Sequence, residues 1–339
     1  MSGLDVSAAV VLDIAERIAA VAVFLTAIEL LLVRSELRDG GVLDWRLLSR
    51  RSPGSWLDRL VRTSAVSRVL DYPGVIALAL IDLAAAAVMV IEPRLIAGPL
   101  ICLVIHIGLS KRSYPSVDGS DDMLLVILGV AVLRTLAPDP DVQLAAVLFL
   151  AGQSALSYLT SGLSKSQSRS WWNGSGLHGI LTTRSYGEPH VARLVAAYPA
   201  ITRALGPLTI VWECAFPLAI LAGPGPTLVL VAIAAGFHLA CGFVMGLTAF
   251  TWAFGAALPA VVYTSYWLAD HIGTPERLLL TAVCALPVVG AACFFAGAAS
   301  KVPAVRSVPA PVPARRGEAR EASAAPASTA HAAVEATAH

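Results

Sequence analysis

The sequence predicts an all-α fold: a polytopic integral membrane helical bundle followed by a disordered C-terminal tail. Three observations predict it. The 339-residue chain is 57% hydrophobic and only 14% charged, where a soluble domain carries about 25% charged residues. Its mean hydropathy is +0.73, and apolar runs of about 20 residues, the length that crosses a bilayer as a helix, recur along it. Basic residues are concentrated in a few connecting segments, as expected of membrane topology.

Nine spans are expected, at about 10–33, 73–92, 94–110, 121–137, 141–163, 204–222, 226–246, 248–269 and 277–299. Each is long and apolar enough for a helix that satisfies its own backbone in lipid. The first reads as a retained span, because no basic n-region precedes it. The third ends at Lys111-Arg112, and the fifth follows Pro138 to Pro140. "VDGSDDMLL", from Val117 to Leu125, reads as a loop and an N-cap, with aspartates favourable at a helix start. A metal reading of Asp118, Asp121 and Asp122 is a weaker alternative. No clear internal repeat is evident.

The chain divides into a transmembrane domain, 1–300, and an Ala/Pro-rich tail, 301–339. The loop 34–72 holds Arg34, Arg38, Arg46, Arg50, Arg51, Arg59, Arg62 and Arg68, and the loop 164–203 holds Lys165, Arg169, Arg184, Arg193 and Arg203. The connections 138–140, 223–226 and 270–275 are short and poor in base. Basic loops face the cytoplasm, so nine spans place the N-terminus outside and the C-terminus inside a cell membrane. The tail adds Lys301, Arg306, Arg315, Arg316 and Arg320 on the same side; its composition cannot bury a core and predicts disorder. Net charge is +1, and nothing marks nucleic acid as a partner; the lipid bilayer is the expected one. The five cysteines, Cys102, Cys214, Cys241, Cys284 and Cys293, lie in apolar runs without a CxxC pair. They read as small core hydrophobes rather than a disulfide or zinc scaffold.

The fifth span carries the chemistry. Gln153, Ser157, Ser161 and Lys165 follow one another at i+4, with Ser154 and Tyr158 beside them and Thr160 and Ser164 at the border. At about 100° per residue they fill roughly 160° of one helix face. Leu156, Leu159 and Leu163 take the other face. Such a stripe must meet protein or a water-filled cavity. Two readings follow. The serines can be helix–helix glue, with Lys165 snorkelling to the interface beside Trp171 and Trp172 of the aromatic belt. Alternatively the stripe lines a cavity, and a desolvated Lys165 serves as a base, which an arginine cannot do. Glu213 and His238, each enclosed by apolar sequence, are the best further candidates. Glu29, Asp82, His106 and Arg134 also lie inside apolar runs, where mutual pairing that fixes helix packing is the plainer expectation.

The run "YLTSGLSKSQSRSWWNGSGLHGIL" (Tyr158 to Leu181) resembles a block of the horizontally transferred transmembrane (HTTM) proteins, Y-x-x-[AS]-G-x-x-K followed by W-x-x-G. That group is similar to the membrane portion of vitamin K-dependent gamma-carboxylase. "WECAFPLAIL" resembles the family's glutamate-containing helix, and "FHLACGFVMGLTAFTWAFGAALPAV" its F-H segment with M-G-x-x-x-F. The resemblance covers about residues 10–299, and "VDGSDDMLLVIL" has the look of the bacterial, SdpB-like branch. It implies a catalytic lysine at Lys165 and a functional histidine at His238. It also suggests a reduced quinone as cofactor, toward which the lysine is a base. Gln153, Ser157, Tyr158, Ser161, Trp172 and Glu213 are the expected cavity residues, with no metal among them. The carboxylase has a large non-membrane region where this chain has a short tail, so glutamate carboxylation is not carried over.

Three functions follow as expectations. The first is an HTTM-type membrane protein using Lys165 as a base on a lipid-accessible quinone-like or peptide substrate. The second is a non-enzymatic maturation, export or immunity factor for a small secreted peptide toxin. The third is a small-molecule transporter, which paired broken helices would favour.

Overall fold

The computed structural model describes residues 6–50, 54–113 and 119–299, without the side chains of 113, 287–289 and 291–299. The tail 301–339, Arg51, Val117, Asp118 and the Cys293 side chain lie outside the described residues.

Every regular element among the described residues is helical. In chain order they are α1 (Ala8–Leu32), α2 (Trp45–Leu48), α3 (Trp56–Val61), α4 (Ser64–Leu70), α5 (Gly74–Ile91), α6 (Ala97–Ser113), α7 (Gly119–Leu136) and α8 (Pro140–Ser166). There follow α9 (Arg169–Trp172), α10 (Ser175–Leu181), α11 (Pro189–Ala197), α12 (Ala200–Ala215), α13 (Leu218–Leu221), α14 (Pro224–Met245), α15 (Thr248–His271) and α16 (Thr274–Ala299). Their boundaries follow local chemistry. Asp139 caps α8, its carboxylate accepting from the Asp141 N–H at 2.8 Å, with Pro140 in the first turn. Ser55 and Asp58 form a reciprocal capping box on α3. Gly246, at φ 71°, ends α14 in the left-handed conformation that a glycine adopts without steric cost.

Three helices, α5, α8 and α14, are long and apolar enough to cross a membrane, and the bent pair α11–α12 makes a fourth if it is one broken span. All nine segments expected to span are helical, the sixth as two helices rather than one. Several are less uniformly apolar than a lone span. α6 has only 17 residues; α1 carries Asp13, Glu16, Arg17 and Glu29, and α7 carries Asp121, Asp122 and Arg134. Arg134 shows why such residues are tolerated. Its guanidinium donates to Asp13 and Glu16 of α1 at 2.6 Å each and to the Pro93 carbonyl at 2.9 Å. Paired charges inside a bundle do not meet lipid.

Three sequence expectations change. The sixth span, expected as one helix over 204–222, is broken at Phe216-Pro217 between α12 and α13, where proline withholds a backbone N–H. Among the described residues the loops 34–72 and 164–203 carry short helices, α2–α4 and α9–α11, and α11 meets α12 at 104°. The stretch from Gly223 to Pro226, expected as a connection, already belongs to α14 from Pro224.

Packing sets the relative direction of the helices. α1 lies against α5, α7, α8 and α15, and α15 also packs on α14. Val23, Leu128, Leu150, Phe216 and Val261 are fully buried in this shared core. Arg134 gathers the start of α1, the α5–α6 connection and the end of α7 at one end of the bundle. Arg112, near the end of α6, donates to the carbonyls of Leu43 and Leu70, which therefore lie at the other.

Candidate functional site

The polar face of α8 opens into a cavity of about 350 Å³. Gln153, Ser157, Tyr158, Thr160 and Ser161 line one wall. Glu213 of α12, Phe237 and His238 of α14, and Phe250 and Phe254 of α15 line the others; Gly119, Asp122 and Met123, at the start of α7, complete it. Six of the residues expected at a site (Gln153, Ser157, Tyr158, Ser161, Glu213 and His238) are thus brought together.

Lys165 does not line the cavity. It stands one turn beyond Ser161 and reaches back. Its ammonium donates to both carboxylate oxygens of Glu213 at 2.8 Å and to the Ser161 hydroxyl at 2.5 Å. The Lys165 side chain is 20% exposed and that of Glu213 4%. Three donors meet three oxygens, which is the arrangement of an ammonium. The Trp171 ring lies 5.2 Å from the same nitrogen, within cation–π range. The lysine is thus one half of an ion pair with Glu213.

Gly162 makes that pairing possible. A Cβ there would lie 2.7 Å from the Cys214 sulfur, 2.8 Å from the Cys214 backbone nitrogen and 3.0 Å from the Glu213 Cβ. Only glycine lets α8 and α12 approach this closely.

The second polar pair joins α8 to α14. The Tyr158 hydroxyl and His238 Nε2 are 2.5 Å apart, and both residues are buried. A hydroxyl donating to Nε2 leaves the ring proton on Nδ1. Nδ1 is buried without a hydrogen-bond partner among the described residues. The His238 ring stacks on Phe254 at 4.9 Å and 15°, while Tyr158 packs on Phe216 and edge-on to Trp212. The aromatic wall holds both polar side chains in place.

Two hydroxyls of the stripe are less available than the sequence suggests. Ser157 donates to the Gln153 carbonyl at 2.9 Å, and Thr160 to the Leu156 carbonyl at 2.9 Å. Trp172 lies outside the cavity and donates its indole N–H to the Ser166 carbonyl. Its neighbour Trp171 is the tryptophan that meets Lys165. The other polar residues of the apolar runs have partners elsewhere: His106 meets Asp82 at 3.0 Å, Arg134 meets Asp13 and Glu16, and Glu29 accepts from Thr248. Sequence reasoning missed Phe250 and Phe254. Their i+4 spacing was the available signal, and it reads equally as a core stripe.

Compared with protein-family models, with curated proteins and with solved structures, the chain has no match.

Proposed function

We propose that the chain is an HTTM-like integral membrane protein, related in design to the membrane part of vitamin K-dependent carboxylase. Its α8–α12–α14–α15 cavity takes a lipid-soluble substrate and accepts a proton from it. The observation that carries this reading is the convergence of Gln153, Ser157, Tyr158, Ser161, Glu213 and His238 on one cavity. A pocket with aromatic walls and a few placed polar groups is the usual form of a small-molecule site.

The chemistry divides between two residues. Glu213 faces the cavity, so its carboxylate is the group that would meet the substrate proton. Lys165 acts behind it, holding both carboxylate oxygens and supplying the compensating charge. In this proposal Lys165 is a positioning residue, and His238 offers a hydrogen bond to a substrate oxygen. A reduced quinone, suggested by the resemblance alone, matches the donor set: planar aromatic walls at Phe237, Phe250 and Phe254, and polar groups at Tyr158, His238 and Glu213. When bound, it would supply the redox chemistry.

Nine crossings with the N-terminus outside are part of the same proposal. Two findings support the reading: the nine segments are helical, the sixth as two helices, and among the first of them Arg134 joins the start of α1 to the ends of α5 and α7, while Arg112 at the end of α6 reaches Leu70 just before α5.

The second reading, a maturation, export or immunity factor for a small secreted peptide, is favoured by one observation: the Lys165 ammonium is fully engaged. A purely electrostatic role tolerates Lys165→Arg. The test is lipid extraction and mass spectrometry of the purified full-length chain, with His238→Phe and Glu213→Gln alongside. The proposal expects a lipid-soluble ring compound in the wild type that both variants lose. Identical extracts from all three would sink the substrate reading.

A further inference from the structure

We propose that α3 and α4 form a headgroup-level site for anionic phospholipid. The inference rests on reading α5 as a membrane span, and on chemistry remote from the α8 cavity.

Position comes first. α5 has 18 residues and a mean hydropathy of 2.6. At 1.5 Å per residue it covers about 27 Å, barely the thickness of the hydrocarbon core. Gly74 must therefore sit at the membrane–water boundary. Only Asp71, Tyr72 and Pro73 separate α4 from α5, a reach of about 10 Å at most. Arg112, at the end of α6, donates to the Leu70 carbonyl and ties α4 to the same end of the bundle.

Surface chemistry comes second. Val61 and Leu70 point inward, packed with Trp45. Outward, Trp56 is 65% exposed, Leu60 47% and Val69 46%. Arg59 and Arg68 are exposed beside them, with Arg62 half-buried between. None of the three arginines has a carboxylate partner among the described residues. The single carboxylate of the two helices, Asp58, is already engaged by the Ser55 hydroxyl, by the Ser55 and Gly54 backbone N–H groups, and by Lys111 at 3.7 Å. An exposed tryptophan among unpaired arginines suits one environment above others. The indole and leucine enter the headgroup–acyl boundary while the guanidinium groups meet lipid phosphate. Charge complementarity selects an anionic lipid over a zwitterionic one.

The test uses the full-length chain in nanodiscs of phosphatidylcholine, with or without phosphatidylglycerol. The expected result is a higher thermal midpoint with phosphatidylglycerol that salt reduces, since exposed charge attraction is screened. Arg59→Gln/Arg62→Gln/Arg68→Gln should keep the midpoint in phosphatidylcholine and lose the increment. Brominated lipid should quench a fraction of the fluorescence that disappears in Trp56→Phe. An equal midpoint in both lipids, an increment retained by the triple variant, or quenching unchanged in Trp56→Phe would overturn the proposal. The span itself is checked separately: Ser64→Cys and Glu92→Cys should react with an impermeant thiol reagent from opposite sides. Labelling of both from one side would remove the premise rather than the lipid preference.

Discussion

Lys165 and Glu213, 48 positions apart in the chain, are joined by two hydrogen bonds of 2.8 Å, and the carboxylate faces the cavity while the ammonium stands behind it. Removing either partner leaves a charge without compensation in a site that is largely desolvated. Lys165→Ala or Glu213→Ala should each lower stability by about 3 kcal/mol, the lower end for a buried pair because the lysine retains some solvent contact. Lys165→Met/Glu213→Met should recover most of that loss. Thermal unfolding of the solubilised chain measures both. If the double variant is as unstable as the sum of the single ones, the pair is not coupled as described.

Gly162→Ala should cost about 1–3 kcal/mol, because the new methyl meets the Cys214 backbone nitrogen as well as its sulfur. Cys214→Ala added to it relieves only the sulfur contact. The combined variant should therefore stay less stable than Cys214→Ala alone, as denaturation midpoints will report.

Tyr158→Phe leaves His238 Nε2 buried and unpaired, at a cost of about 1–3 kcal/mol. Tyr158→Phe/His238→Phe removes both ends of the bond. In a double-mutant cycle on thermal stability the two effects should be strongly non-additive; simple additivity would mean that the 2.5 Å contact contributes little.

Arg134→Leu strands the buried Glu16 carboxylate and should destabilise by about 3–5 kcal/mol. Glu16→Gln in the same chain should restore part of it. Membrane yield and melting temperature of the two variants provide the comparison.

Asp58 supplies a pH prediction outside the spans. The Ser55 hydroxyl and the Ser55 and Gly54 backbone N–H groups hold its carboxyl below the usual carboxylate range. A depressed folded pKa contributes stability above the unfolded value, about 3.9, that is lost as pH falls through the folded one. The α3 cap should loosen only below about pH 4, and Asp58→Asn should remove that acid transition. Amide hydrogen exchange at residues 55–59 would follow it, and an unchanged acid profile in Asp58→Asn would refute it.

Much of the helical layout was legible because its signals are local. The apolar runs, the Asp139-Pro140 start of α8 and the glycine at the end of α14 each act within a few residues. The short helices α2–α4 and α9–α11 were not legible as helices. They lack a long apolar period, and packing against α5, α6, α8 and α12 orders them. The break in the sixth span was not legible, because apolar composition continues across Pro217, where the helix ends.

The sequence by itself determined that α8 has a polar face. A period of 3.6 residues places Gln153, Ser157, Ser161 and Lys165 on one side of the helix without reference to the rest of the chain. Only the tertiary structure decided what that face meets. Glu213 and His238 arrive from helices 48 and 80 positions away from their partners, and the closeness of α8 and α12 depends on the missing side chain of Gly162. Periodicity fixes direction around one helix axis. Pairing across the bundle depends on how near two axes come and at what height, and that is set by packing.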